Sequence, residues 1–228
     1  MRICLFGDIH GNGPAFRIAC KAIVAESADL NIFLGDLCGY YYDQLDILDI
    51  LREIPNLGAI KGNHDVIFLN ILEGNEELRK TYLEKYGYSM EKLLEKDVTE
   101  LKEWFFKLPE TYSPHGLNVT CCHGSPWDVT DGYVYPDSPI EEFLNYSSDS
   151  FFLGHTHYPM KRNIKEKYIV NPGSLGQARN GGWPTYAVVD YYSKEVSIKE
   201  VVYDNSGLLK QINEAGDNTR YLREILEK

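Results

Sequence analysis

Residues 1–13 read MRICLFGDIHGNG, and this stretch sets the pattern on which the fold is built. Residues 3–6 form a short apolar run of the kind found in a buried β-strand. A Gly-Asp turn follows at once, so Asp8 and His10 come at the carboxyl end of the run. In open α/β sheets, binding sites gather at the carboxyl ends of the strands. The sequence therefore predicts a site at the sheet edge that this strand reaches.

An apolar strand followed directly by Asp, Asn or His recurs four more times. The later instances are IFL-GD (32–36), AIK-GNH (59–64), TCC-HG (120–124) and FFL-GHTH (151–157). Glycine precedes the polar residue in four of the five instances, and it permits the positive φ angle or close backbone approach that such turns demand. Asp8 and His10 are two residues apart, as are His155 and His157, which in extended chain puts both side chains of a pair on one side.

Hydrophobic periodicity predicts an α/β chain. The first 65 residues alternate strands with helices at 14–25 and 43–52, a βαβαβ rhythm typical of a parallel sheet. Residues 68–106 are rich in Glu and Lys with helical spacing, which predicts two or three helices. Strands are expected at 117–122, 150–153, 168–170, 185–190 and 196–203, the last two as a hairpin, and one or two helices at 206–228. We interpret the chain as a single domain, 1–228, with a helical insertion or cap at about 66–115.

Composition excludes several classes of function. The 228 residues include 34 acidic and 23 basic side chains, a net charge of −11 that disfavours a nuclease or non-specific nucleic-acid binding. Five cysteines without a CxxC pair are typical of free thiols in a reducing compartment. No apolar run reaches the ~18 residues of a membrane span, and the first is too short for a signal peptide. A cytoplasmic protein without a membrane partner is expected.

The polar strand ends carry the side chains that bind borderline divalent metals such as Mn²⁺, Fe²⁺, Ni²⁺ or Zn²⁺. A site for two adjacent ions needs about seven ligands when one carboxylate is shared. Five of the six histidines belong to the pattern, and only His115 lies outside it. Each instance alone has a simpler explanation: a plain turn at Asp36, a solvent-facing strand at HxH, or a helix cap at Asp65. Together they predict a dinuclear site with the candidates Asp8, His10, Asp36, Asn63, His123, His155 and His157, with His64 beside them.

The segments GDIHGN, GDLCGY, GNHD, CCHG and GHTH, in this order, resemble the five conserved blocks of the calcineurin-like metallophosphoesterases. The resemblance spans about residues 1–190. It implies a four-layer α-β-β-α sandwich, an α/β (α+β) fold with two mixed sheets face to face. The segments LPETY, HGSPWD and NPGSLGQARNG resemble a subgroup of small members related to diadenosine tetraphosphatases and protein phosphatases.

The resemblance also implies roles for the candidate residues. It assigns one metal to Asp8, His10, Asp36 and His157, and a second to Asp36, Asn63, His123 and His155. His64 corresponds to the catalytic histidine of the family. The implied reaction is hydrolysis of phosphomonoesters or phosphodiesters by a hydroxide bridging two divalent ions, with Mn²⁺ the ion most expected to support activity and Fe, Ni or Zn as alternatives. Because metal-binding histidines must be neutral, we expect metal binding to weaken below about pH 6.

Several further residues could touch a substrate. Arg179 lies in the Gly-bounded loop GQARNGG and is a candidate phosphate ligand, although a surface arginine is the simpler interpretation. Trp127, Trp183 and the run 40–42 of three tyrosines could stack on a base, but packing in the core or at the rim is favoured. His64 in its imidazolium form could protonate the leaving oxygen, with Asp65 either orienting it or capping the helix.

We expect an enzyme acting on a small phosphoester or nucleotide. The alternative is a non-catalytic metal-binding scaffold of the same fold, which the intact His64 and ligand set disfavour. Substrate choice should depend on the cap and on the loop 126–139, neither of which carries a motif that identifies a substrate or protein partner. We expect the cap to disfavour large substrates such as phosphoproteins.

Overall fold

The computed structural model describes residues 1–226. Within them, ten strands form two five-stranded sheets. In chain order the strands are β1 (Arg2–Phe6), β2 (Leu30–Phe33), β3 (Leu57–Ala59), β4 (Thr111–Tyr112), β5 (Val119–Cys122), β6 (Ser150–Phe152), β7 (Pro159–Ile164), β8 (Lys167–Pro172), β9 (Thr185–Asp190) and β10 (Val196–Glu200).

The first sheet has the strand order β10-β9-β1-β2-β3. β1, β2 and β3 are parallel, which confirms the predicted βαβαβ unit, and β9 and β10 form the predicted antiparallel hairpin. The second sheet has the order β4-β5-β6-β8-β7, with β5, β6 and β8 parallel. The sequence pattern did not predict the two edge strands of this sheet, β4 and β7. β4 has only two residues, and in β7 Pro159 and the adjacent Lys161 and Arg162 hide a strand that buries little of its surface.

The described residues form eight α-helices, α1 (Gly13–Ala25), α2 (Gln44–Arg52), α3 (Asn63–Leu72), α4 (Glu76–Tyr86), α5 (Ser89–Leu94), α6 (Thr99–Lys107), α7 (Ser206–Glu214) and α8 (Arg220–Leu226), and one short 3-10 helix, Glu141–Asn145. Four of them lie between residues 63 and 107, so the prediction of two or three was too low. Gly74 (φ +96°) and Gly87 (φ +82°) follow α3 and α4 and end them with a positive φ angle, which glycine adopts without strain. Residues 227–228 of the predicted C-terminal helix lie outside the described residues.

Alternate residues of the central strands serve two different cores. Ile3 and Leu5 of β1 pack into the space between the sheets with Phe152 and Val170 of the second sheet. The outer face of the first sheet is covered by the helices on that side. The outer face of the second sheet is covered mainly by the loop around Val134 and the short 3-10 helix. The predicted sandwich is confirmed, with a thinner fourth layer.

All five cysteines are free thiols, four of them buried, as the sequence predicts. No helix in the described part of the chain is long and apolar enough to cross a membrane.

The carboxylate of Asp65 ties the loop after β2 to the start of α3. It accepts hydrogen bonds from the backbone N–H groups of Asp36 (2.9 Å), Cys38 (2.9 Å) and Gly62 (3.0 Å). Because Asp65 is fully buried, water cannot take its place as the acceptor for these N–H groups. The helix-capping interpretation of Asp65 is therefore the one the structure supports, and Asp65 makes no hydrogen bond to His64.

Replacing Asp65 by alanine should destabilise the metal-free protein by about 3 kcal/mol or more, because it leaves three buried N–H groups without an acceptor. The measurement is denaturant unfolding. Asp97→Ala is the matched control: Asp97 is exposed and accepts one backbone hydrogen bond, from Thr99. A loss of stability at Asp65 no greater than at Asp97 would contradict this account.

Candidate metal centre

The ends of β1, β2, β5 and β6 and the start of α3 bring the seven predicted metal ligands into one buried cluster. Every one of them is at most 9% exposed. The cluster contains two groups of three residues. Within each group, the ligand atoms all lie within 4.8 Å of one another. Asp8, His10 and His157 form the first group, and Asp36, His123 and His155 form the second.

Two short distances define the first group. His157 Nε2 lies 3.2 Å from Asp8 Oδ1 and 3.0 Å from His10 Nε2. His10 Nε2 also lies 3.6 Å from Asp36 Oδ2. Asp8 Oδ1 in turn lies 3.9 Å from His123 Nε2 of the second group. Asp36 makes the shorter approach between the ligand atoms of the two groups, which makes it the better placed carboxylate for a shared ligand.

Asn63 completes the second group. Its Oδ1 atom lies 3.1 Å from His123 Nε2 and 3.1 Å from His155 Nδ1. His123 Nε2 is also 3.2 Å from Asp36 Oδ2. The two groups together contain the same two sets of residues that the family resemblance implies. Their role as ligands remains a prediction.

Backbone hydrogen bonds set the direction of three imidazole rings. The Nδ1 atoms of His10, His123 and His157 lie 2.8, 2.7 and 2.9 Å from the carbonyl oxygens of Cys38, Leu34 and Gln177. A carbonyl can only accept, so each Nδ1 carries a proton, and in the neutral ring each Nε2 carries a lone pair that points into the cluster.

This orientation provides the test of whether a metal fits. With both Nδ1 atoms protonated, His10 and His157 direct two lone pairs at each other across 3.0 Å, which is repulsive unless a cation or proton shares them. His155 Nε2 is buried and has no hydrogen-bond partner among the described residues. Imidazole, carboxylate and amide donors arranged in this way suit a borderline divalent ion. The residues present therefore fit the metals that the sequence predicts.

The turns that carry the ligands are in the left-handed region. Asp8, His10, Asp36, His155 and His157 have φ angles between +49° and +68°. The extended-chain explanation of the two-residue spacing is therefore wrong: strand alternation does not align these pairs, and left-handed turns aim each side chain inward. Such conformations cost on the order of 1 kcal/mol or more each for a non-glycine residue and are typical of functional sites.

Glycine serves close approach at two of these turns. A Cβ atom on Gly62 would overlap Asp36 Oδ1, and one on Gly154 would lie 3.0 Å from Asp8 Oδ2. The end of β8 and the turn that follows it support the site by hydrogen bonds to the turns that carry its ligands. Asn171 donates to the carbonyl oxygen of Gly154 (2.6 Å), and Ser174 donates to that of Asp8 (2.8 Å).

His64 lies beside the cluster at the start of α3. Its backbone N–H donates to Asp36 Oδ1 (2.9 Å), and its ring Nδ1 is 2.8 Å from the hydroxyl of Tyr82. His64 also forms a possible ligand group with His10 and Asp36. Since Tyr82 occupies Nδ1, Nε2 is the ring nitrogen that remains for a ligand.

A cavity of about 190 Å³ opens over the cluster. Arg179 lines it and donates to the hydroxyl of Tyr40 (3.1 Å), so the predicted phosphate ligand lies at the site. The complete lining is Asp36, Tyr40, Asn63, His64, Lys85, Tyr86, Tyr133, His155, His157 and Arg179.

A family profile described as "Calcineurin-like phosphoesterase superfamily domain" matches residues 1–194. The chain belongs to this superfamily. The crystal structure of a metallophosphoesterase from Sphaerobacter thermophilus is similar to this phosphoesterase-superfamily chain, with a TM-score of 0.82, 23% identity and coverage of 99% of each chain. The hypothetical protein PH1004 from Pyrococcus horikoshii OT3 gives a TM-score of 0.78 at 21% identity, covering 98% of this chain and 97% of the other. These two likenesses establish the fold. The uncharacterized protein MJ0912 of Methanocaldococcus jannaschii is 28% identical over 227 residues, which cover 89% of this chain and 88% of the relative.

Two tryptophans do not contribute to the cavity of this superfamily member. Trp127 packs against Phe143, with ring centroids 5.0 Å apart, and Trp183 packs against Tyr203 at 6.1 Å. Both tryptophans are partly exposed and pack on a neighbouring ring outside the lining of this cavity, so neither is placed to stack on a base there. His115 is exposed, as expected of a loop histidine.

Sequence reasoning missed the aromatic side of the cavity. Tyr82, Lys85 and Tyr86 all come from α4, and Tyr133 comes from the loop after β5. Tyr82 and Tyr86 are four residues apart on a mostly polar helix. This spacing was the one sequence signal that could have indicated an aromatic face on α4. Of the tyrosine run, Tyr40 reaches the site, where its ring lies 4.5 Å from that of His10.

Charge is unevenly distributed among the ligands of the metal-free cluster. Burial alone would lower the pKa of His123, but the carboxylate of Asp36 outweighs it and raises this pKa to about 10. Burial also opposes ionisation of Asp36, yet the facing His123 holds the pKa of Asp36 well below its usual range. The pKa of His10 is well below its ordinary value because of burial. The metal-free centre thus holds a proton at His123.

Metal loading near neutral pH should therefore release a proton. The raised pKa of His123 keeps its imidazole protonated in the metal-free protein, and a bound metal requires the neutral ring. The measurement is calorimetric titration of Zn²⁺ in two buffers with different ionisation enthalpies. His123→Asn should reduce the number of protons released by about one, and His115→Asn should not change it. Proton release that is unaltered by the His123 substitution would contradict the assignment.

Proposed function

We propose that this protein is a hydrolase of small phosphate esters, phosphomonoesters or phosphodiesters, that works with two divalent metal ions. One observation carries the proposal: two buried donor groups meet at Asp36 directly beneath a cavity that also contains His64 and Arg179. Superfamily membership supports the reaction class.

The donor set suits Mn²⁺, Fe²⁺, Ni²⁺ or Zn²⁺, and we propose Mn²⁺ as the ion that supports activity. Asp8, His10 and His157 would hold one ion, and Asn63, His123 and His155 the other, with Asp36 common to both. When bound, two such ions lower the pKa of water and neutralise charge on the phosphoryl group.

Arg179 would bind the phosphoryl oxygens of the substrate. A guanidinium can donate two parallel hydrogen bonds to a phosphate. Its one hydrogen bond among the described residues is to Tyr40, a neutral acceptor that leaves most of its donors available. Arg179 and Lys85 are the basic residues of the lining, and they favour an anionic ligand at this point of an otherwise acidic protein.

His64 would donate a hydrogen bond from Nε2 to the leaving oxygen. Burial lowers the pKa of His64 to about 4 despite the opposing carboxylate of Asp36, so we propose a neutral imidazole here rather than the imidazolium suggested by the sequence. A neutral N–H aimed at the leaving oxygen stabilises the negative charge that develops there as the P–O bond breaks.

The walls of the cavity favour small substrates. Its volume of about 190 Å³ is below the roughly 300–1,000 Å³ of pockets for drug-sized ligands. Tyr86 of α4 and Tyr133 of the facing loop enclose it from two sides. A small phosphoester or nucleotide is the proposed partner, with neither a membrane nor non-specific nucleic acid. The free thiols favour a reducing compartment such as the cytoplasm.

The Mn²⁺-loaded protein should hydrolyse p-nitrophenyl phosphate or bis-p-nitrophenyl phosphate. His64→Gln should lower kcat on the order of 100-fold while the metal content stays unchanged, because it removes a donor used in the transition state. His115→Gln is the control and should match the wild type. The assay should be run across a phosphoester panel with each metal in turn. A metal-loaded wild type that turns over no ester would overturn the proposal and favour a non-catalytic scaffold.

Small esters should be better substrates than phosphoproteins. We expect kcat/KM for p-nitrophenyl phosphate to exceed that for a folded phosphoprotein by at least about tenfold, since a cavity of about 190 Å³ between Tyr86 and Tyr133 leaves little room for the chain that flanks the phosphate. Phosphate release from both substrates measures the ratio, and a short phosphopeptide separates chain length from the protein fold. Faster cleavage of the phosphoprotein would refute the role given to α4.

A further inference from the structure

α4 sends its one buried side chain into the site. The helix (Glu76–Tyr86) is largely polar, and Tyr82, which is 2% exposed, is its only buried residue. The hydroxyl of Tyr82 lies 2.8 Å from His64 Nδ1, and the two rings meet edge-on at 5.6 Å. Burial keeps the pKa of Tyr82 well above its ordinary value, so the phenol retains its proton.

Gly39 creates the space that this hydroxyl occupies. The glycine follows the loop of Asp36 and has φ +109°. A Cβ atom at this position would lie 2.9 Å from Nδ1 of His64 and 3.2 Å from the hydroxyl of Tyr82. Any side chain on Gly39 would crowd the Tyr82–His64 hydrogen bond. The partner of His64 is therefore supplied by the helical segment rather than by the loop that carries Asp36.

Hydrogen-bond accounting fixes the direction of this bond. Within residues 1–226 the Tyr82 hydroxyl has one hydrogen-bond partner, His64 Nδ1. If Nδ1–H donated to Tyr82, the buried hydroxyl proton would have no acceptor, which is unfavourable for a donor shielded from water. If Tyr82 donates, both groups are satisfied. The proton of the neutral imidazole then resides on Nε2, the nitrogen available to the cavity.

We propose that Tyr82 is a positioning residue that donates to His64 Nδ1 and thereby holds His64 as the Nε2–H tautomer. The catalytic consequence rests on the proposed phosphoesterase function: Nε2–H is then always available to the leaving oxygen. The hydrogen bond contributes most when that oxygen gains a large negative charge, as with a basic leaving group, and little when the leaving group stabilises its own charge.

Nitrogen NMR of histidine tests the tautomer without any turnover. Long-range ¹H–¹⁵N spectra of ¹⁵N-histidine-labelled protein, metal-free and Zn²⁺-loaded, distinguish a protonated ring nitrogen from an unprotonated one, and His64→Gln identifies the signals. The wild type should show His64 protonated on Nε2 alone. Tyr82→Phe should give a mixture of tautomers. Tyr88→Phe, which removes an exposed hydroxyl just after α4, should leave the spectrum unchanged. A wild-type His64 protonated on Nδ1, or a spectrum that Tyr82→Phe does not alter, would overturn the proposal.

Leaving-group dependence tests the consequence. Tyr82→Phe should lower kcat on the order of tenfold for phenyl phosphate and less than about twofold for 2,4-dinitrophenyl phosphate, with metal content unchanged. Equal losses on both esters would mean that Tyr82 only supports packing, and the positioning role would be lost. If the wild type hydrolyses neither ester but shows the Nε2–H signature, the proposed function fails while the tautomer assignment is supported.

Discussion

Three backbone carbonyls, those of Leu34, Cys38 and Gln177, accept the Nδ1 protons of three buried histidines and turn their Nε2 lone pairs toward a common centre. In the absence of a cation this arrangement is unfavourable, because the lone pairs of His10 and His157 face each other at 3.0 Å. The proton that Asp36 stabilises on His123 lies in the second group, so it does not relieve the repulsion between His10 and His157 in the first. The repulsion that remains makes the centre receptive to a divalent metal, while the carbonyl hydrogen bonds fix where its donors point.

The rest of the fold holds this unfavourable cluster in position. Five ligand-bearing residues are in left-handed conformations, which a flexible loop would relax. Here each turn begins at the end of a strand whose side chains are buried between the sheets or beneath helices. Asp65 adds three hydrogen bonds that join the turns after β2 and β3. The sandwich thus serves as a rigid base on which strained turns are kept.

The helical segment completes the site from the opposite side. α4 is mostly exposed and contributes little to the core, but it supplies Tyr82 to His64 and Tyr86 to the wall of the cavity. On the two proposals made above, this one helix would set both the size of the substrate and the position of the proton on His64. A change in the helix would then alter selectivity and hydrogen-bond donation together, while the metal ligands on the strands stay in place.

Much of the molecule could be predicted from the order of its residues. The strand-then-polar-turn pattern depends on local hydrophobic runs and on glycines, so it marked the first parallel sheet, the seven candidate ligands and the position of His64. The Gly-bounded loop GQARNGG separately indicated Arg179, which lines the cavity. Composition predicted free thiols, which the structure contains.

Contacts between distant segments were decided only by the tertiary structure. The pairing of Asp36 with both donor groups, the left-handed turns that replace extended chain at Asp8 and His10, and the contact of Tyr82 with His64 all join segments that no local pattern connects. A sequence pattern records which side chains are polar and where a strand stops. The direction of a histidine lone pair depends on a backbone carbonyl that is distant in the sequence. The carbonyl of Cys38 is 28 residues from His10, and that of Leu34 is 89 residues from His123. Only tertiary packing brings each carbonyl to its histidine.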